Sequence, residues 1–303
     1  MVEGPPILTE PERPQLRPRP SRKRLAARRT VALVLLGGSL ALLAWLGLLI
    51  ADTVGKDKPK PPPPPPVLRI IFPEGFTRQQ MAGRIIAVDG IAQRTRGADP
   101  KLSASDYLAA TQSSKLPGRF AGDGKARPLE GFLFPSAYDF RPWTRSQHLV
   151  REQLAAFRET WSKVDLSYAR SKNLTPYDVL IIASMIEKEV RVAKERRLVA
   201  AVIYNRLHAR MPLGIDATIR YGLNIPPTQS LTVAQLHSSN PYNTRNHFSL
   251  PPTPISNPGL PSMQAAAHPA KVDYLYFVRK PDKLHHFFTS SLKKFIAYQR
   301  AHG

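Results

Sequence analysis

Residues Val31 to Ala51 read VALVLLGGSLALLAWLGLLIA, 21 consecutive residues without a charge. At about 1.5 Å of rise per residue, a helix of this length crosses a hydrocarbon core of roughly 30 Å. This segment divides the chain into a tail, a single membrane span and a long remainder. The tail before it carries Arg13, Arg17, Arg19, Arg22, Lys23, Arg24, Arg28 and Arg29 against Glu3, Glu10 and Glu12. Positive flanks stay on the cytoplasmic side, so the tail is expected inside the cell and the remainder outside, at the cell membrane. A cleaved signal peptide has an apolar region of only about 7 to 15 residues and a small-residue cleavage site. The present run is longer and has no clear site, which favours an anchor.

The exported part contains no cysteine, so a hydrophobic core and not a disulfide framework must hold it. A net charge of +22 favours anionic partners such as lipid headgroups or acidic wall polymers. Nucleic acid is not expected, because no binding module is recognisable and the remainder lies on the wrong side of the membrane. Lys56 to Pro66 reads KDKPKPPPPPP. Consecutive prolines form a polyproline II rod advancing about 3.1 Å per residue, giving a spacer of roughly 25 Å.

From Val67 the pattern changes. VLRIIF is a short apolar strand, PEG at Pro73 to Gly75 a turn, and Thr77 with Gln80 a capping box for a helix through Met81, Ile85 and Ile86. With a second helical stretch at Ser103 to Ala110, this order resembles the LysM-like domain found ahead of certain wall enzymes. The Gly, Ser, Lys and Pro residues of Ser113 to Pro128 mark a boundary. The expected organisation is α+β: a basic tail (1–30), a single transmembrane helix (31–51), a Pro-rich linker (52–66), a small LysM-like α+β module with its connector (67–127) and a larger α+β catalytic domain (128–303).

In LEGFLFPSAYDF, Leu129 to Phe140, aromatic residues recur at a strand-like period of two, with Glu130 just ahead of them. Glu130 reads either as a second carboxylate or as a cap or ion-pair partner. Further on, Thr175 as N-cap, Pro176 as first helical residue, Asp178 at the third position and a Leu174/Val179 staple open a helix whose first turns are apolar all round. Near its end stand Glu187 and Glu189. A carboxyl group on a buried helix is suited to general acid chemistry, because burial favours its protonated form. The two acids lie about 200° apart around the helix, so only one is expected to face a cleft. Spacing alone slightly favours Glu187 as a surface residue paired with Arg191 at i, i+4.

A second helix, about Glu195 to Leu207, leads into MPLGIDATIRYGL, where Asn205, Arg206, Asp216, Thr218 and Tyr221 offer polar groups suited to a sugar site. Ser239 to Ser262, which contains Asn243, is rich in Pro, Asn and Gly and is expected to be an irregular binding loop. DYLYFV at Asp273 to Val278 should be a strand, paired in a hairpin with HHFFTS across RKPDKL. His285 and His286 are adjacent and point to opposite faces of that strand, so no metal site is expected.

Taken together, EGFLFPSAYDF, ASMIEKEV, VIYNRL with MPLGIDATIRYGL, the run SNPYNTRNHFSLPPTPISNPGLPSMQAAAHP, and DYLYFV before HHFF make the chain resemble the YceG-like endolytic murein transglycosylases. The resemblance covers about Val67 to Phe295, with the anchor. It implies that the first Glu of the EKE motif, Glu187, is the catalytic acid, with Glu130, Asn205, Asp216, Tyr221 and Asn243 as candidates for holding substrate and no cofactor. The family usually has Gln and Pro near Gly214 and Ala217, and Gly where Lys283 stands. The implied reaction is cleavage of the β-1,4 bond between N-acetylmuramic acid and N-acetylglucosamine inside nascent glycan strands, leaving 1,6-anhydro ends. The implied partners are peptidoglycan, the cytoplasmic membrane and wall synthases. Two other readings stay open: a muramidase-type hydrolase using Asp216 or Glu130 as second carboxylate, and a non-catalytic membrane scaffold for wall synthases.

Overall fold

In the computed structural model, residues 22–56, 66–112, 114–116, 118–120 and 125–302 are described. Most of the basic tail and all but the last proline of the expected rod therefore lie outside the described residues. The chain separates into two units, Met1–Pro64 and Pro65–Gly303. In the first, helix α1 runs over Arg22–Lys56, and its Arg29–Ala51 stretch is long and apolar enough to cross a membrane.

The second unit carries, in order, β1 (Leu68–Ile71), α2 (Arg78–Arg96), α3 (Ala104–Gln112), β2 (Ser114–Lys115), β3 (Ala126–Arg127), β4 (Ala137–Phe140), α4 (Ser146–Trp161), α5 (Ser167–Ser171) and α6 (Pro176–Glu189). There follow α7 (Arg196–His208), α8 (Asp216–Gly222), α9 (Val233–Leu236), α10 (Leu260–Ala267), β5 (Tyr276–Arg279), β6 (His286–Thr289) and α11 (Leu292–His302). The expected caps close two of these helices. Thr77 accepts from Gln80 N while Gln80 accepts from Thr77 N at α2, and Thr175 and Asp178 do the same at α6. Every residue of α6 from Val179 to Ile186 is buried, because the helix packs on α7, α8 and α10 at once.

β1 pairs antiparallel with β4, from Leu68 opposite Phe140 to Ile71 opposite Ala137. One strand of this ribbon comes from the segment expected to be a LysM-like module and the other from the expected catalytic domain. A two-stranded ribbon is not stable alone and needs a covering core. Here Ile70, Phe72, Met81 and Tyr107 join Phe132, Phe157 and the residues of α6 in one hydrophobic cluster. Residues 67–127 thus share a sheet and a core with 128–303 and do not form a body of their own.

Three local expectations are corrected. LEGFLF is a turn and not a strand: Gly131 takes φ +90°, and Gly131 N and Leu133 N donate to Asn257 Oδ1 at 2.8 and 3.0 Å. The Ser239–Ser262 segment is irregular, but residues 253–259 are buried and not a free loop. Ile255 N donates to Ser184 Oγ and Ser256 Oγ to Ser184 O, both at 3.0 Å, so the segment is stitched to α6. The C-terminal strand begins only at Tyr276, since α7 side chains take the preceding carbonyls: Asn205 Nδ2 donates to Val272 O and Tyr274 O, and Arg206 Nε to Leu275 O.

Candidate active site

A cleft of about 1510 Å³ opens beside the C-terminal end of α6. One wall is the N-terminal turn of α2 with Glu130; another is α8 with Tyr242 and Arg245; the β5–β6 hairpin and α11 close the far side. Three acids line it, Glu130, Glu189 and Asp216, and their surroundings differ.

Glu130 is buried. It accepts from Arg78 N at 3.1 and 3.2 Å, from Asn257 Nδ2 at 2.7 Å and from Tyr221 Oη at 3.1 Å. Burial pushes its carboxyl up to about 7, against the stabilising pull of those donors. Asp216 lies nearer the surface, and one of its oxygens accepts from Arg245 Nε at 3.0 Å and Nη2 at 2.6 Å. Glu189 is the last residue of α6 and is only partly exposed. Burial raises its carboxyl above the ordinary range; the Arg279 guanidinium opposes that, Asp216 adds to it, and the Ala217 backbone and Arg220 pull the other way. Glu189 forms no salt bridge among the described residues.

Glu187 is not among the residues that line the cleft. Its Oε2 accepts from Gly259 N at 3.0 Å, at the start of α10, and its side chain packs against Gly75. It does not pair with Arg191. A second carboxylate that the sequence reading passed over, Glu74, lies against Gly259. Burial raises the Glu74 carboxyl and the charge of Glu187 raises it further, while Arg196 opposes both. The PEG motif signals only a turn, so nothing at the level of sequence points to this pairing.

Of the other expected site residues, Asp216 and Tyr221 line the cleft with Glu130, whereas Asn205 and Asn243 do not. Asn205 ties α7 to the chain ahead of β5, as described above. Asn243 is fully buried, and its Nδ2 donates to Leu236 O at 3.0 Å and Ser238 O at 2.7 Å. Both amides hold backbone carbonyls, which leaves them little to offer a ligand. His286, which was set aside as a metal ligand, is held by Glu195 at 2.7 Å and locks the hairpin to the start of α7. Gly214 sits at φ +62° with Arg206 Nη1 close to where a Cβ would stand, so a glutamine there would be strained in this backbone.

Burial disposes two carboxyls on the wall of this arginine-rich cleft to hold a proton, Glu130 and Glu189, and of these Glu130 is the one engaged by four hydrogen bonds. Such a group can protonate a leaving oxygen and then act as base.

The sequence matches the model of the YceG-like family over residues 53–301. It is 33% identical over 242 residues to the endolytic murein transglycosylase of Streptococcus pneumoniae serotype 2 strain D39, covering 74% of this chain and 42% of that protein. The endolytic murein transglycosylase of Bacillus subtilis strain 168 is 37% identical over 170 residues, covering 55% of this chain and 46% of the relative. The match thus spans less than half the length of each of these relatives. The crystal structure of a YceG-like protein from Listeria monocytogenes superimposes with a TM-score of 0.64 at 29% identity, covering 78% of this chain and 76% of that one.

Proposed function

The chain belongs to the YceG-like family, and from that premise we propose that it is an endolytic lytic transglycosylase of peptidoglycan in which Glu189 is the acid. The proton on Glu189 goes to the glycosidic oxygen as the bond from C1 of N-acetylmuramic acid to that oxygen breaks. The resulting carboxylate takes the proton of the muramoyl 6-hydroxyl as its oxygen bonds to C1, which restores the acid and leaves a 1,6-anhydro end. No water is consumed. The attack is intramolecular, so little entropy is lost in reaching the transition state, and acid–base assistance contributes about 10²- to 10⁴-fold.

The observation that carries this reading is the unequal state of the three acids in the cleft. A hydrolysing glycosidase needs two carboxylates free to act. Glu130 is engaged by four hydrogen bonds and Asp216 by a salt bridge to Arg245, whereas Glu189 holds no salt bridge among the described residues and takes a hydrogen bond from the Ala217 backbone. A one-carboxylate reaction fits that set. The family's EKE motif supplies two glutamates, and this reading gives the chemistry to the second of them in place of Glu187. In the same reading α1 anchors the chain with its basic tail in the cytoplasm, the cleft works outside on nascent strands, and wall synthases are neighbours.

The test is mass spectrometry of uncrosslinked glycan strands treated with the full chain in detergent. Anhydro-muramic ends, lighter than reducing ends by one water, are expected. Reducing ends would instead establish a hydrolase, and intact strands a scaffold.

A further inference from the structure

The cleft is lined by six arginines, and four of them are committed to protein. Arg78 donates to Thr111 and Gln112, Arg206 to three carbonyls of the 212–213 and 275 backbone, Arg220 to Pro226 O and Gln229 O, and Arg245 to Asp216. Arg191 and Arg279 remain. Both are exposed on the cleft wall, and neither side chain forms a hydrogen bond or salt bridge among the described residues.

Their positions are fixed from below. Arg191 follows Val190, the C-cap of α6, and so stands two residues beyond Glu189. Arg279 closes β5 opposite His286, which Glu195 holds in the core, and it lies near enough to Glu189 for its charge to act on that carboxyl. Two guanidiniums that make no side-chain hydrogen bond or salt bridge among the described residues therefore line the same cleft as Glu189. A guanidinium presents a planar fork of N–H donors that matches a carboxylate in both charge and shape.

We propose that Arg191 and Arg279 form a carboxylate-binding subsite for the peptide stem of the muramoyl residue being cleaved. This rests on the reading of the substrate as peptidoglycan. The stem branches from the same sugar whose C1 reacts, and it carries free carboxylates; a neutral glycan backbone has no group that would engage two cations. Docking the stem in the cleft that holds Glu189 sets the register of the strand, so the enzyme selects strands with free stem carboxylates over strands whose stems are amidated.

The experiment uses the full chain in detergent and two substrates: uncrosslinked strands with free stem carboxylates, and the same strands with those carboxylates converted to neutral amides. The expected result is that the wild type processes strands with free stem carboxylates at least about tenfold more efficiently in kcat/KM than the amidated strands, through KM, as charge-assisted pairs of this kind predict. Arg191→Gln lowers that ratio toward one, Arg191→Lys gives an intermediate ratio, and raising the salt concentration reduces the ratio in the wild type. Binding of both strands to the Glu189→Gln chain supplies a second measurement that does not depend on turnover. Equal binding of the two strands, or a ratio unchanged by Arg191→Gln, overturns the subsite. Anhydro ends formed equally from both strands refute the subsite and leave the transglycosylase reading standing. If the wild type makes no anhydro ends at all, that reading fails, and the binding comparison still decides the arginines.

Discussion

Replacing Glu189 and Glu187 separately by glutamine distinguishes which acid of the EKE motif does the chemistry. Glutamine at 189 keeps the shape of the side chain and removes the transferable proton. The turnover rate should then fall by about 10²- to 10⁴-fold, which corresponds to about 2.7 to 5.5 kcal/mol of transition-state stabilisation. Folding should not suffer: burial raises the Glu189 carboxyl, so near neutral pH an ionised group there opposes the folded state and a neutral amide does not. At position 187 the amide oxygen can still accept from Gly259 N, so what is lost is the charge assistance of one bond, about 1 kcal/mol, and what is gained is relief from Glu74. Activity of Glu187→Gln should stay within a few-fold of the wild type, with an unchanged dependence on pH. The assay is release of anhydro-ended fragments followed by mass spectrometry, with thermal unfolding of each variant measured alongside. Loss of activity in a well-folded Glu187→Gln chain, with Glu189→Gln still active, would refute the reasoning.

Two further outcomes follow from the same surroundings. The Glu130 carboxyl is raised from 4.5 to about 7, so its stabilising contribution is complete below 4.5 and is lost as the pH rises through about 7, a change of about 3 kcal/mol; Glu130→Gln should flatten stability against pH over that window in denaturant titrations, and an unchanged slope would show that Glu130 does not titrate there. Lys283 holds φ +58° in the turn between β5 and β6, so Lys283→Gly should stabilise the unit by about 0.5 to 1 kcal/mol, the relief of the left-handed strain less the entropy of glycine; a lower melting temperature would contradict this.

Much of the frame was legible because its signals are local. The α6 boundary follows from Thr175, Pro176 and Asp178, three neighbours whose caps need no tertiary partner, and the β5–β6 hairpin follows from two apolar runs around a turn. The site was less legible because its determinants are distant in sequence. Helical spacing separates Glu187 from Glu189 but cannot say which side of α6 meets the cleft, since that depends on α8 and the hairpin. LEGFLF has the period of a strand, yet the backbone N–H groups of Gly131 and Leu133 go to an asparagine 126 and 124 residues away. Asn205 and Asn243 have the chemistry to bind sugar, and only the fold reveals that backbone carbonyls already occupy them. For the same reason the strand Leu68–Ile71 looked like part of a separate module until its partner in Ala137–Phe140 was known.

Asn257 joins segments that the chain produces at very different times. Its Nδ2 donates to Phe76 O and Glu130 Oε1, 181 and 127 residues away, while its Oδ1 takes the N–H groups of the Gly131 turn. Arg279 and the hairpin are made later still. At synthesis rates of about 5 to 20 residues per second, the 68 residues between Glu189 and Asn257 take roughly 3 to 14 s to appear. During that interval the chain carries its acid but not the walls that give the acid a substrate. Under the proposed function, the chain is thereby inert until its last third has been delivered, a latency that comes from the order of synthesis and requires no inhibitor.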